Sequence, residues 1–511
     1  MKNKIIKHKL KNIGKIRISN LAAVILTAIF IFSLSSCAPV GPKYVKVPPD
    51  APKNWHKKPE KIFKYRTTPP ENLAHWWKVF NDGELEKLME KAVKGNIDLK
   101  VAVERVEEAR ILRGLKKTYL YPTINFESTV SDQRSSENAG EGRENRYYSA
   151  GFDAAWELDI FGKTRRSIEA AQANLEATEE LLHDVMVTLL AEVATNYIEL
   201  RTYQKRLQIL EKNIEIQRKI YELNKSLYDA GVIGELPLKQ SLSILEETQS
   251  QIHPIKNAIS TTKNTLSMLI GEKPGSLDKE LEWKKDLPHP PETILMGIPI
   301  NTLRSRPDVR RAERILAYET ALIGVEKADL YPTFNLSGTF DFSSIDVGSI
   351  FKWGSRSWNI GANIFWKIFN AGATRKKILM QTSRQKQALL NYKSVVLKAL
   401  KEIENAMISY SREIKHEKSL EKALKSTESV LSVAEENYRA GISDYINVLD
   451  AERSLQEIED QLMVSKGKIL VNLIHLYKVL GGGWEWMNYS NRGSGKNEKG
   501  EKVQAKNNLK K

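Results

Sequence analysis

Two long stretches of the chain, residues 163–230 and 373–440, contain neither glycine nor proline. In each stretch apolar residues and tyrosines recur at alternating spacings of four and three residues, and eleven of fourteen such positions are apolar or Tyr. The first series runs from Leu182 to Tyr228, and the second lies 210 residues further along the chain. This period predicts two uninterrupted helices, each roughly 100 Å long, that coil in a left-handed sense against partner helices.

A period of two precedes each predicted helix. Residues 124–130 alternate after Tyr121-Pro122, and residues 333–342 and 358–366 alternate after Tyr331-Pro332. Alternation with one polar face predicts β-strands, and each pair of strands should form a hairpin. Aromatic residues gather at the strand ends, as they do at the interfaces of membrane β-proteins. They are Tyr119, Tyr121, Trp156, Phe161, Tyr331, Trp366 and Phe369.

The chain repeats itself at a constant offset of 210 residues. Residues 120–123, Leu-Tyr-Pro-Thr, return unchanged at 330–333, and the Tyr, Ala and Gly of residues 228–231 return at 438–441. Because the offset does not drift, both halves should hold the same elements at the same lengths. We therefore predict one unit of helix, hairpin, long helix and return helix that occurs twice.

Four strands per chain are too few for a membrane barrel, which needs about eight. Open sheet edges are not tolerated in hydrocarbon, because their backbone groups would lack hydrogen-bond partners. Several copies must therefore combine their strands. From this geometry, both a dimer with eight strands and a trimer with twelve remain possible.

The N-terminus has the pattern of an export signal. Residues 1–36 carry seven positive charges and no acid, and an apolar run extends from Leu21 to Leu34. The run has 14 positions, fewer than the roughly 20 that a spanning helix needs. Residues 34–37, Leu-Ser-Ser-Cys, resemble a bacterial lipobox, which implies cleavage before Cys37 and acylation of that residue. The alternative is a cysteine that lies beside an ordinary cleavage site by chance.

The net charge of +16 is concentrated at the two ends of the chain. Residues 1–36 contribute +7 and residues 487–511 contribute +5, so about +4 remains for the body of the chain. That body lacks the concentrated basic surface of a nucleic-acid-binding protein. We expect residues 484–511, rich in Gly, Asn and Lys, to form a disordered tail.

The chain shows no catalytic pattern. Its eight histidines are scattered, and it has one cysteine, no phosphate-binding glycine loop and no nucleophile elbow. We therefore predict no catalytic residues, no metal site, no cofactor and no enzymatic activity.

Three segments resemble the TolC-like outer membrane efflux proteins, in their lipid-anchored NodT-type branch. The first runs from Trp76-Trp77 to Leu99, the second from Ile298-Pro299 to Glu313, and the third from Tyr438 to Ala451. The resemblance covers about residues 34–484. It implies a homotrimer, with a twelve-stranded outer membrane β-barrel continued by an α-helical barrel through the periplasm.

The resemblance also divides the chain. Residues 1–36 are the signal peptide, and residues 37–95 are the lipidated segment and part of an equatorial domain. The first repeat is 96–271, an equatorial linker is 272–305, and the second repeat is 306–483. A periplasmic adaptor protein, an inner-membrane pump of the RND or ABC type and outer membrane lipid are the implied partners.

By the same resemblance, Tyr228, Gly231, Tyr438 and Gly441 lie at the periplasmic tip, where the adaptor docks. Asn447 and Asp450 lie one helical turn apart, and in the implied trimer Asp450 forms an anionic constriction in the lumen. The alternatives are that the glycines only end helices and that Asp450 is a solvated surface acid.

The implied function is the outer membrane exit duct of a tripartite system that exports drugs, metals or other toxic small molecules. Two alternatives remain open at this stage. One is the exit duct of a type I protein secretion system, and the other is a trimeric coiled-coil surface or structural protein.

Overall fold

The computed structural model describes residues 39–56, 63–66, 71–139, 142–282, 286–291, 294–297 and 299–486. The chain divides into two compact units. The sheet unit contains the described residues of 1–47, 107–176 and 313–390, and the helical unit contains those of 48–106, 177–312 and 391–511. No helix in the described ranges is both long enough and apolar enough to cross a membrane.

Nine α-helices and six strands are assigned within the described residues. The helices are α1 (Gly83–Gly95), α2 (Ile97–Thr118), α3 (Lys163–Asp229), α4 (Glu235–Ser250), α5 (Ile252–Leu269), α6 (Pro299–Ser305), α7 (Pro307–Ala328), α8 (Ala373–Arg439) and α9 (Tyr445–Val479). The strands are β1 (Phe63–Arg66), β2 (Thr123–Arg134), β3 (Glu144–Leu158), β4 (Ile294–Gly297), β5 (Thr333–Ser344) and β6 (Arg356–Phe365). Short 3₁₀ turns are also present, the longest at Glu71–Phe80.

The two long helices are confirmed, and they have equal lengths of 67 residues. In α3, only Tyr228 among the fourteen heptad positions is exposed, and in α8 none of the fourteen is exposed. The stripe predicted from the sequence is therefore the packed side of each helix. Its burial supplies stability that a helix of this length could not obtain from backbone propensity alone.

The two return helices differ. The second, α9, runs unbroken for 35 residues, whereas the first is divided at Gln251 into α4 and α5. Pro254 explains the break, because proline has no N–H to donate to the carbonyl of Ser250, four residues earlier, and its ring crowds that carbonyl. The equivalent position in the second half is Val464, which imposes neither restriction.

The sheet unit contains an antiparallel sheet in the order β2-β3-β5-β6. Cross-strand register aligns Phe126, Phe152, Phe340 and Trp358 in one row across all four strands. We call the face that carries this row the apolar face. The neighbouring row, on the opposite face, is polar: Asn125, Asp153, Thr339 and Asn359. The predicted hairpins and their two-sided character are thus confirmed.

In each half, a tryptophan at the equivalent position links the hairpin to the turn that follows the preceding helix. The indole N–H of Trp156 donates to the carbonyl of Leu120, and that of Trp366 donates to the carbonyl of Leu330, both over 3.0 Å. These pairs are separated by 210 residues, so the internal repeat extends to individual hydrogen bonds.

The helical unit contains one pairing that the sequence analysis did not predict. Strands β1 and β4 form a two-stranded parallel ladder that joins residues 63–66 to residues 294–297. Trp484, at the expected start of the tail, is buried against His183, and the Arg310 guanidinium lies 5.0 Å from its ring centroid. Packed contacts therefore extend past residue 483, and residues 487–511 lie outside the described part.

In the helical unit, side chains at equivalent positions of the two halves bind the C-terminal ends of α5 and α9. The amide of Asn96 donates to the Leu269 carbonyl over 2.9 Å, and the guanidinium of Arg306 donates to the Val479 carbonyl over 2.8 Å. Each therefore satisfies a carbonyl that the end of a helix leaves free. Arg306 is also buried and pairs with Glu402 and Asp308.

We expect Arg306→Met to lower the free energy of local opening at the C-terminal end of α9 by about 2 kcal/mol, because it leaves two partly buried carboxylates and a helix-end carbonyl without their partner. Hydrogen exchange at the amides of residues 476–481 measures this. Arg304→Met is the matched control, since Arg304 is exposed. Equal protection in both variants would contradict the assigned role of Arg306.

Candidate functional site

Two sharp turns connect the long helices to the helices that return from them, and we call them the tip turns. The first contains Tyr228 and Gly231, and the second contains Tyr438 and Gly441. The two glycines have φ angles of +73° and +71°. A Cβ atom at either position would meet no atom within 4 Å, so it is the left-handed backbone, and not crowding, that requires glycine.

The tip turns share one hydrogen-bond pattern. The N–H of Gly231 donates to the Tyr228 carbonyl over 2.9 Å, and that of Gly441 donates to the Tyr438 carbonyl over 3.0 Å. In both turns the following residue donates to the carbonyl five positions earlier, which is the Schellman arrangement of a helix end. Both glycines and Tyr228 are exposed, and Tyr438 is half-buried.

Asn447 and Asp450 lie at the start of α9, just after the second tip turn, and both are exposed. The opposite face of this helix is buried. There Tyr445, Val448 and Leu449 form a cluster with residues of α3, α4 and α8. The structure therefore brings Asn447 and Asp450 together on one accessible face of α9, as the sequence predicted.

Asp450 begins a stripe of ionisable residues along α9. Arg453, Glu457 and Asp460 follow it at helical spacing on the same side. Arg453, Glu457 and Asp460 of this stripe border a groove of about 360 Å³ between α9 and α4. Arg453 pairs across the groove with Glu247 over 2.8 Å. The groove is lined mainly by polar side chains, unlike the apolar cluster on the other side of α9.

The interior near the tip turns contains polar groups, which we call the tip polar layer: Gln217, Asn224, Tyr445 and Glu452. All four are buried. Among the described residues, neither side-chain atom of the Gln217 amide has a hydrogen-bond partner. Buried polar groups without partners cost roughly 1–3 kcal/mol each. The packing of the helices is therefore less stable at this level than an apolar seam would be.

Glu452 is the ionisable member of the tip polar layer. Burial, and after it the charge of Glu435 on α8, raises the pKa of this carboxyl to about 7. Glu452 therefore changes its charge near neutral pH, whereas an exposed glutamate remains ionised well below it.

The sheet unit holds an extended N-terminal arm, residues 39–47. The guanidinium of Arg166 donates to the carbonyls of Val40 and Gly41 over 3.0 and 3.1 Å, and it pairs with Glu169 over 2.7 Å. The N–H of Val40 donates to the carbonyl of Phe161 at the end of the first hairpin. We call this set of contacts the arm clasp.

Three glycines make room for the arm clasp. A Cβ on Gly162 would lie 2.6 Å from Pro39, and a Cβ on Gly41 would lie 2.5 Å from the Cα of Gly324. The arm thus lies directly against the backbone at the base of the hairpin. Cys37, two residues before the arm, lies outside the described residues.

In the described ranges, no three His, Cys, Asp or Glu side chains are arranged so that they could hold a metal ion.

The arm clasp and the tip polar layer were not predicted from the sequence. The repeat nevertheless contains a sequence signal for the arm clasp. One glycine of the clasp, Gly324, has an identical counterpart in the other half, Gly114, but the arginine of the clasp, Arg166, is replaced by Lys376. The chain has one N-terminal arm and two equivalent halves, so the arm can bind at only one of the two equivalent positions, and the difference between Arg166 and Lys376 marks which one. Glu452 gave no such signal, since a charged residue on a helix is most often exposed.

We expect the helix packing at the tip to lose stability as the pH rises from about 4.5 to about 7, because in this window Glu452 stays protonated when buried but ionises when exposed. The loss should total about 3 kcal/mol. Hydrogen exchange of residues 446–455, corrected for intrinsic rates, measures it. Glu452→Gln should remove the pH dependence, and the exposed Glu457→Gln should retain it. An unchanged pH dependence in Glu452→Gln would contradict this assignment.

Known proteins have a similar fold and a related sequence. The channel OprN has a solved structure that is 32% identical and superposes with a TM-score of 0.80, covering 87% of this chain and 99% of its own. A solved structure of CusC is 27% identical with a TM-score of 0.76 and covers 87% of this chain and all of its own. The cation efflux system protein CusC of Escherichia coli O6:H1 is 30% identical over 412 residues, which are 81% of this chain and 89% of CusC.

The solvent efflux pump outer membrane protein SrpC of Pseudomonas putida is 28% identical, over 79% of this chain and 86% of its own. The sequence profile of outer membrane efflux proteins matches twice, at residues 88–272 and 298–482. These two matches coincide with the two halves of the internal repeat. The predicted location in the outer membrane, with an extension into the periplasm, is confirmed. The chain belongs to the outer membrane efflux protein family.

Proposed function

We propose that this chain forms a homotrimeric exit channel for small toxic molecules in a tripartite efflux system. The observation that carries the proposal is the sheet β2-β3-β5-β6, whose apolar face is exposed and whose two outer strands each have only one neighbour among the described residues. In a bilayer, the free edges of β2 and β6 must pair with other copies. Family membership favours three copies and twelve strands over two copies and eight.

The tip turns are the proposed docking site for a periplasmic adaptor protein. Tyr228, Gly231 and Gly441 are exposed, and the two turns repeat one backbone shape. Three copies would present six such turns in a ring, which suits an adaptor assembly that also repeats its own contacts. An inner-membrane pump of the RND or ABC type would supply the energy for transport. The channel itself needs no catalytic residue.

Asp450 and Asn447 are the proposed constriction. Their exposed face continues into the stripe of Arg453, Glu457 and Asp460, and such a polar surface suits the wall of a water-filled lumen. Three Asp450 carboxylates around a trimer axis would favour cations. The tip polar layer lies on the buried side of the same helices. Its marginal packing would allow the helices to part when the adaptor binds.

Cys37 is the proposed acylation site. The arm clasp supports this assignment, because it fixes Pro39 and Val40 against the base of the hairpin and so leaves Cys37 only two residues from that point. Acyl chains attached there would enter the membrane beside the strands. Several chains together give stable anchoring, at roughly 0.8 kcal/mol for each buried methylene group.

The cargo is proposed only as a class. One relative is named for cation efflux and another for solvent efflux, so the family's channel accepts chemically different exports. This breadth is expected if the pump selects the cargo and the channel wall conducts it. A type I protein secretion duct is the alternative, whereas a coiled-coil surface protein would not account for an exposed apolar sheet face.

The constriction is tested by Asp450→Asn in planar bilayers. Removing three negative charges from a narrow ring should reduce the ratio of cation to anion permeability by about twofold or more, measured as the reversal potential in a KCl gradient. Glu436→Gln is the control, because Glu436 is an exposed acid of α8 near the same tip. An unchanged reversal potential in Asp450→Asn would remove Asp450 from the lumen.

The anchor is tested by Cys37→Ser, because serine offers no thiol for the thioether to diacylglycerol. We expect loss of radioactive palmitate from the protein band and easier extraction from membranes. Ser33→Ala, outside residues 34–37, should keep the label. A Cys37→Ser protein that is still labelled would show that acylation does not occur at this residue.

A further inference from the structure

The distal ends of the two hairpins, away from the adjoining helices, differ in chemistry. The β2–β3 connection is rich in charged residues, whereas the β5–β6 connection, residues 345–355, exposes four large apolar side chains. They are Ile345, Val347, Phe351 and Trp353, and their exposed fractions lie between 64% and 77%. Large apolar groups that face water this fully are unfavourable, so this connection requires a partner.

The β5–β6 connection extends the apolar face of the sheet. The ring of Phe351 lies 6.3 Å from that of Phe342, and Phe342 lies 5.7 Å from Phe340. Phe340 belongs to the aromatic row across the four strands. The surface that meets lipid in the proposed function is therefore continuous, through Phe342, with the connection at its end.

A cationic side chain, that of Arg356, lies at the same end of the apolar face. Arg356 is opposite Phe342 in the strand register, and its guanidinium lies 4.3 Å from the centroid of the Trp353 ring. It also donates to the Trp353 carbonyl over 2.6 Å. Within the described chain, neither Arg356 nor the nearby Lys352 forms an ion pair with a carboxylate. The first hairpin differs, because its Arg146 pairs with Asp132 over 3.0 Å.

These observations fit the headgroup region of a membrane. Aromatic rings at the border of a lipid-facing surface lie at the depth of the headgroups, and arginine recognises phosphate through its planar set of donors. Stacking on Trp353 holds the guanidinium in place, which reduces the entropy lost when an anion binds.

We propose that Arg356 and Lys352, with Phe351 and Trp353, bind the phosphate-bearing headgroup of a glycolipid in the outer leaflet. The orientation rests on the proposed function, since it requires the β5–β6 connection to face away from the periplasm. Phe351 and Trp353 lie at the border between the headgroup and the acyl chains, and the two cations contact its phosphates. One such site exists in each copy of the chain.

The experiment is native mass spectrometry of the full-length protein in detergent, titrated with diphosphorylated lipid A. We expect retention of lipid A to be about tenfold weaker in the double variant Arg356→Gln, Lys352→Gln, because charge-assisted contacts to phosphate are lost. Lipid A without phosphates should bind the parent protein as weakly as it binds this variant. Inorganic phosphate should not displace lipid A, because it lacks the acyl chains.

Lys367→Gln is the matched control. Lys367 lies beyond the other end of β6, with its ammonium 6.0 Å from the Phe365 ring, so it is also a cation beside an aromatic ring. If Lys367→Gln weakened lipid A retention equally, the effect would be general electrostatic attraction, and the proposed site would be wrong. Unchanged binding in the double variant would overturn it as well.

A photoreactive phenylalanine analogue at position 351 tests which partner covers the connection. Cross-linking to lipid A supports the proposal, and cross-linking to a second copy of the chain overturns it. Conductance of the same proteins in planar bilayers tests the proposed channel independently of the proposed lipid site. A parent protein that binds lipid A but forms no pore would contradict the proposed channel and leave the lipid site intact.

Discussion

The structure depends on one constraint: every backbone hydrogen-bonding group that enters hydrocarbon must find a partner within protein. Inside the sheet β2-β3-β5-β6 the ladders meet this requirement over the length of the strands. At the outer edges of β2 and β6 a single copy of the chain cannot meet it. In the proposed channel, assembly is therefore a condition for membrane insertion, and the internal repeat supplies two hairpins to each copy.

The long helices obey a different rule. A seven-residue apolar period gives α3 and α8 a packed side along most of their length. Near the tip this period is interrupted in α3 by Gln217 and Asn224, and α9 contributes the buried Glu452 to the same tip polar layer. An apolar seam throughout would be more stable but harder to open. The polar residues reduce stability at the level of the proposed constriction. The buried carboxyl of Glu452 also makes that stability sensitive to pH near neutrality.

Much of the fold could be predicted because its signals are periodic and local. The glycines that bracket α3 and α8 predict the ends of these helices to within one residue, and alternation identified the polar and apolar faces of both hairpins. The tip glycines were also recognisable, because a repeated Gly after a long helix is a helix-end signal. Asn447 and Asp450 could be placed on one face from their spacing alone.

What could not be predicted depends on contacts between distant segments. The ladder of β1 and β4 joins two four-residue strands separated by more than two hundred residues, and such short segments have no period of their own. Arg166 holds the N-terminal arm through backbone carbonyls, which carry no side-chain signature. The break at Gln251 was visible in Pro254, but the strength of the repeat favoured equal return helices.

The central claim is that the free edges of β2 and β6 pair between copies. Native mass spectrometry of the detergent-extracted protein, combined with hydrogen exchange of residues 123–134 and 356–365, tests it most directly. We expect the mass of three chains and slow exchange along both strands. A single-chain mass with the same slow exchange would show that one copy satisfies its own edges, and this would contradict the account.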